Sequence, residues 1–264
     1  MNRPAAGGGT RCRHGPSGTP ESPSPSAKEG GRTGRVPAVR PTGMLPVDPA
    51  LTHCQALEEA VGVFREAHSA HVTAWGEELA EALHGGGRLL AAGNGGSAAQ
   101  AQHLTAELVG RYQADRRPYS AIALHADTSA VTAIGNDYGY ADVFARQVTA
   151  HGRPGDVVLL LSTSGRSENL VNAALAGRRA GLRVWALTGP APNPLAAAAD
   201  DALCVAAATT ATVQEVHLVA VHLLCEAFDA AQELAEDVPA ATAPPPTAGR
   251  GVRLTAGEGG PPPV

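Results

Sequence analysis

The chain has 264 residues, of which 17% are charged, 44% hydrophobic and 3% aromatic, and its formal net charge is −5 at pH 7. The first 46 residues carry 7 Lys and Arg against 2 Glu, a balance of +5, so the remainder carries −10; that sign argues against nucleic acid as the main partner of the folded part, because phosphate backbones are bound by basic surfaces. No run of 18 or more apolar residues is present to span a bilayer, and the N-terminus lacks the apolar core of a signal peptide, so a cytoplasmic protein without a membrane partner is expected.

The arm of residues 1–46 holds 9 Gly and 8 Pro with almost no large apolar side chains, and the tail of residues 238–264 has the same character with two triple-proline runs. Neither can bury enough surface to offset the entropy of ordering, so both read as disordered. Residues 47–237 remain as one domain, ample for a single buried core. Cys12, Cys54, Cys204 and Cys225 show no CxxC pairing and read as reduced thiols without an assigned role.

From about Asp48 to Leu83, Leu51, Leu57, Val61, Phe64, His68, Val72, Trp75 and Leu79 recur mostly every three or four residues, the period of a long amphipathic helix. "HGGG" ends it, and "RLLAAG" follows as a short buried strand. Strand-like "SAIAL" (120–124), "DVVLLL" (156–161), "LRVWAL" (182–187) and "ALCVA" (202–206) then alternate with helical stretches near 97–112, 141–150, 167–180 and 211–235. That alternation predicts an α/β fold: a doubly wound five-stranded parallel sheet with helices on both faces, whose ligands sit beyond the carboxyl ends of the strands.

Two of those strand ends carry unusual loops, Gly93-Asn94-Gly95-Gly96-Ser97 after the first and Ser162-Thr163-Ser164-Gly165-Arg166-Ser167 after the third. Glycines let backbone N–H groups approach an anion, hydroxyls add donors, and the helix behind each loop contributes the positive end of its dipole. Caps and turns use the same residue types. Neither loop matches GxGxxG or a P-loop, so a small phosphorylated ligand is expected rather than a dinucleotide or ATP.

His103 and Glu107 stand one turn apart on one helix face, a spacing that suits two ligands of one metal, a base with its orienting partner, or an ordinary side-chain hydrogen bond. The last helix, "TVQEVHLVAVHLLCEAF", sets Gln214, His217 and His222 among apolar residues. His222 is expected to be buried between Val221 and Leu223, where an imidazole requires a partner. Gln214 and His222 lie eight residues apart, about 12 Å of helix rise, so they converge on one ion only with strain or from different subunits.

With "GNGGSAAQAQHLTAELVGRY", "AIGNDYGYADVFARQV", "GDVVLLLSTSGRSENLVNA", "VWALTG" and "QEVHLVAVH" in this order, residues 50–236 resemble the sugar isomerase (SIS) domain family, and within it the phosphoheptose isomerases. The resemblance implies an aldose–ketose isomerase that converts sedoheptulose 7-phosphate to D-glycero-D-manno-heptose 7-phosphate through an enediol. It implies sugar-phosphate contacts at Asn94, Gly95, Gly96, Ser97, Glu107, Asn136, Asp137, Ser162, Thr163, Ser164, Ser167 and Gln214. His103, Glu107, Gln214 and His222 match its zinc ligands, Glu107 and His222 its acid/base pair, and its members form homotetramers with active sites between subunits. Two further readings stay open: a non-catalytic scaffold that binds a replication-initiator protein, and an isomerase of another sugar phosphate.

Overall fold

Helix α1 (Pro49–His84) starts where Asp48 accepts a hydrogen bond from the Ala50 N–H at 2.9 Å and Pro49 occupies the first helical position. It buries Phe64, Val72, Trp75, Leu79 and Leu83, and stops at Gly85, followed by Gly86 at φ +88°. The computed structural model describes residues 48–236, with side chains to Leu234; the expected arm (1–46), tail (238–264) and Cys12 lie outside the described residues.

The strands are β1 (Leu89–Gly93), β2 (Ala121–Ala123), β3 (Val157–Ser162), β4 (Arg183–Thr188) and β5 (Asp201–Cys204), all parallel, in the order β2-β1-β3-β4-β5. Short apolar runs become strands here because both faces are covered, and β1 and β3 are buried at every position. Alternate residues divide between two cores. Leu89, Ala91, Leu159, Trp185 and Leu203 face α1, α2 (Gly96–Val109) and α7 (Thr210–Glu236). Leu90, Ala92, Leu160, Val184 and Ala186 face α4 (Val143–His151) and α5 (Glu168–Arg179).

On the first face the rings of Trp75 and Trp185 stack at 4.6 Å with 4° between their planes, and the Trp75 indole N–H donates to Asp201. Gly76 lets α1 and α7 touch: a Cβ there would lie 2.4 Å from the Ala227 Cβ. Cys54, Cys204 and Cys225 are free thiols, and burial pushes the Cys225 thiol up to about 12. Among the described residues no helix is long and apolar enough to cross a membrane.

Periodicity misses two helices. In α3 (Thr128–Tyr138) no residue is buried, so there is no apolar stripe to read; its start is held by the Asp127 carboxylate, which accepts from the Ala130 N–H at 3.0 Å. The other, α6 (Pro194–Ala198), is barely more than one turn, capped by Asn193. A 3₁₀ turn, Tyr140–Asp142, joins α3 to α4.

Candidate active site

After β1 the chain moves outward to β2, and it returns to β3 on the other side of β1. Helix α2 therefore leaves β1 on one face of the sheet and α5 leaves β3 on the opposite face. The two loops diverge at the point where a doubly wound sheet opens a crevice. A cavity of about 90 Å³ lies between them, lined by Asn94, Ser97, Ser162, Thr163, Ser164 and Ser167. A wider groove of about 630 Å³, flanked by Arg88 and Arg183, lies at the opposite, amino ends of the strands.

The second loop is organised around Ser162, which is buried at the end of β3. Its hydroxyl accepts from the Gly165 N–H at 3.1 Å and lies 3.4 Å from the Ser164 hydroxyl and 3.3 Å from that of Ser167. Ser167 is the N-cap residue of α5, yet its hydroxyl makes no capping bond and turns into the loop. The orphan N–H groups of the first turn and three hydroxyls thus share one small concavity, the composition of an anion cradle built without lysine. Gly165 has φ +60°, and a Cβ there would lie 2.1 Å from the Asn193 side-chain oxygen. Asn193 is buried and donates to the Thr188 hydroxyl at 3.0 Å, so the loop rests on a fixed polar floor.

The first loop turns through Gly95 at φ +54°, which precedes α2 without a side-chain cap. The Asn94 and Asn169 amides pair reciprocally at 3.0 and 2.9 Å, and the Tyr140 hydroxyl donates to the Asn94 side-chain oxygen at 3.1 Å. Asn169 and Tyr140 escape sequence reasoning, since neither a buried polar residue on α5 nor an exposed ring in a 3₁₀ turn has a periodic signal. Asn136 and Asp137 hydrogen-bond each other at 2.8 Å and are exposed on α3; Tyr140, three residues further on, makes the contact to the loop.

His103 and Glu107 emerge from α2 and meet His222 of α7. The His103 Nε2 lies 3.2 Å from the Glu107 carboxylate and 3.1 Å from the His222 Nε2, and the His222 ring is 5.6 Å from that of Tyr112. The His103 Nε2 thus sits between a carboxylate and a second imidazole nitrogen, within hydrogen-bond reach of both. His103 is 42% exposed and Glu107 21%, open enough for a ligand to reach. His222 is half-buried, not enclosed between Val221 and Leu223 as expected, because α7 turns it toward α2; the fully buried imidazole is His217. The His217 Nε2 donates to the Thr188 carbonyl at 3.1 Å, and burial pushes its pKa down to about 4, so it stays neutral.

Gln214 does not join the trio within one chain. Its side-chain amide packs over Gly96, where a Cβ would lie 1.8 Å from the Gln214 side-chain nitrogen, and its backbone carbonyl accepts from the Gln100 side-chain amide at 2.6 Å. Gly96 precedes His103 by seven residues, about 10 Å of helix rise. The donor chemistry of two imidazoles, a carboxylate and an amide suits zinc. As they stand, however, the three meeting groups form a hydrogen-bonded cluster rather than a coordination shell, and among the described residues no group of three or more His, Cys, Asp and Glu is arranged to hold a metal ion.

A sheet with its ligand crevice between β1 and β3, a hydroxyl-rich loop and a His–Glu–His cluster together define a sugar-phosphate isomerase type of site. The family described as SIS domain matches residues 52–189, and the chain belongs to it. Relatives that bear the name phosphoheptose isomerase are among its matches. The one from Streptomyces coelicolor is 70% identical over 189 residues, which are 71% of this chain and 81% of that protein. The one from Aromatoleum aromaticum is 48% identical over 167 residues, 62% of this chain and 84% of that protein. Among solved structures, a phosphoheptose isomerase from Francisella tularensis superposes with a TM-score of 0.66 at 33% identity, covering 71% of this chain and 100% of that one. A phosphoheptose isomerase from Neisseria gonorrhoeae gives 0.61 at 40% identity, covering 69% and 95%.

Proposed function

We propose that the protein is an aldose–ketose isomerase that converts sedoheptulose 7-phosphate to D-glycero-D-manno-heptose 7-phosphate. One observation carries this reading beyond the kinship with phosphoheptose isomerases: the hydroxyl-lined cavity and the His–Glu–His cluster are separate subsites along one helix. Ser97 lines the first and His103, six residues and about 9 Å of rise further along α2, belongs to the second. A substrate that reacts at C1 and C2 and carries its phosphate on C7 requires such a division.

The Ser162, Thr163, Ser164 and Ser167 groups hold the phosphate, and Asn94, Gly95, Gly96, Ser97 and Gln214 line the sugar chain, with Asn136 and Asp137 closing from α3. Isomerisation moves a proton from C1 to C2 and one between the two oxygens. The Glu107 carboxylate takes the C1 proton, giving a cis-enediol, and the proton is returned to C2; His222 acts as the acid that manages the proton on the oxygens. His103 lies within hydrogen-bond reach of both groups and so orients them.

Zinc is part of the proposal. His103, Glu107 and His222 would hold it, with a Gln214 side chain as fourth donor only where assembly of chains brought one to the trio, and when bound it would polarise the sugar oxygens. The homotetramer belongs here as well: assembly would bring a second chain's residues to a site that one chain leaves open, and a sugar-phosphate substrate is consistent with work in the cytoplasm.

The test is incubation of the purified protein with sedoheptulose 7-phosphate, with and without chelator, followed by NMR for the aldoheptose 7-phosphate. Product formation supports the reading; binding without turnover by the zinc-loaded protein would refute it in favour of a scaffold.

A further inference from the structure

Helix α2 carries His103 and Glu107 and ends at Gly110, and α7 carries His222, so the cluster exists only while two separate helices keep their relative position. The last turn of α2 contains no basic residue to satisfy its carbonyls. That role falls to Arg116, which folds back beneath the helix end. Its guanidinium donates to the Glu107 carbonyl at 2.8 Å, to the Leu108 carbonyl at 3.1 Å, and through Nε to the Asp229 carboxylate of α7 at 2.7 Å. The Phe228 and Tyr119 rings lie 5.3 and 5.5 Å from its central carbon. The pair is sequestered, with side-chain exposures of 9% and 14%, and the second Asp229 oxygen is buried with no partner.

We propose that Arg116 is a positioning residue of the isomerase site, a clamp that sets where Glu107 stands relative to His222. It grips the backbone of the residue that supplies the base. On α7 it grips Asp229, which follows His222 by seven residues, two turns along nearly the same face. The planar fork makes this possible, since one rigid group addresses two carbonyls and a carboxylate in fixed directions, which an ammonium on a flexible stem does not reproduce. The direct bond between His103 and His222 joins partly exposed side chains that a substrate must displace or share; the clamp lies outside the reacting groups and persists while they exchange protons.

The inference rests on the isomerase reading, and the experiment separates the two. Arg116→Gln combined with Asp229→Asn removes both charges together, so no buried charge is left unpaired. A control, Arg88→Gln with Asp156→Asn, removes another ion pair at the amino ends of the strands. The first variant is expected to lose about ten- to a hundredfold in kcat with KM within about threefold, as for a misplacement of about 1 Å at a reacting centre. The control is expected to retain kcat within about twofold. Arg116→Lys alone should recover only part of the loss. Crystal structures of wild type and variant are expected to show the Glu107–His222 relation changed only in the clamp variant. Unchanged kcat, equal losses in both double variants, or a cluster that stays in place in the variant crystal would overturn the inference. Should the wild type not turn over sedoheptulose 7-phosphate, the proposed function fails, and the clamp is decided by the crystal comparison alone.

Discussion

Acidification should unfold this protein through one histidine more than through its other imidazoles. His217 is fully buried on α7, bonds the Thr188 carbonyl at the end of β4, and has its pKa pushed from 6.5 to about 4 by loss of hydration. The unfolded chain takes up a proton there below about pH 6.5, whereas the folded chain resists until near pH 4. Stability is therefore fully present above 6.5 and lost as pH falls toward 4. A gap of about 2.5 between the two values corresponds to ~3 kcal/mol per chain when complete, of which ~2 kcal/mol is gone by about pH 5. Urea unfolding of wild type and His217→Gln, followed by far-UV circular dichroism at one protein concentration near pH 7.5 and pH 5, isolates this contribution, since the carboxylates common to both chains cancel. The wild type should lose ~2 kcal/mol more than the variant between the two conditions. Equal losses would mean that His217 is hydrated or protonated in the folded state, and the reasoning from its burial would be wrong.

Gly76→Ala should cost ~1–3 kcal/mol in the same urea assay, because its Cβ would meet Ala227 at 2.4 Å and the two long helices cannot both keep their places. Gly165→Ala combines a positive φ of +60° with a clash against Asn193 and should raise KM for the sugar phosphate more than it lowers kcat, as read from initial rates. Glu107→Gln should lower kcat by about 10²–10⁴-fold while isothermal titration still detects substrate binding. Chelation should remove activity that added zinc restores, measured by the NMR assay.

The strands and the two loops were legible because a parallel sheet covered on both faces forces short apolar runs, and because two loops rich in glycine and hydroxyl residues recur at strand ends of one sheet, each just before a helix. Leu89–Gly93 and Val157–Ser162 illustrate this, each buried along its whole length. Helix α3 was illegible for the converse reason, having no buried residue to generate a period. His103 and Glu107 were visible as a pair by their spacing, but the approach of His222 depends on the rotation of α7, which apolar residues on every side of that helix do not reveal. The same ambiguity made His222 look enclosed, whereas it is half-buried and His217 is the fully buried imidazole. Gln214 was placed with the cluster by resemblance, whereas in the single chain it covers Gly96. Arg116 had no signature at all: its partners are three backbone carbonyls and an aspartate more than 100 residues away.

The stacked indoles of Trp75 and Trp185 are the only two tryptophans in the chain. Intrinsic fluorescence excited at the indole band therefore reports one event, the seating of α1 against β4, with no background from the His103–Glu107–His222 cluster or from either terminus. A red shift of emission as α1 lifts from the sheet would time that step separately from the loss of helix seen by circular dichroism. The protein thus carries its own optical gauge for whether its longest helix leaves before or together with the rest of the fold.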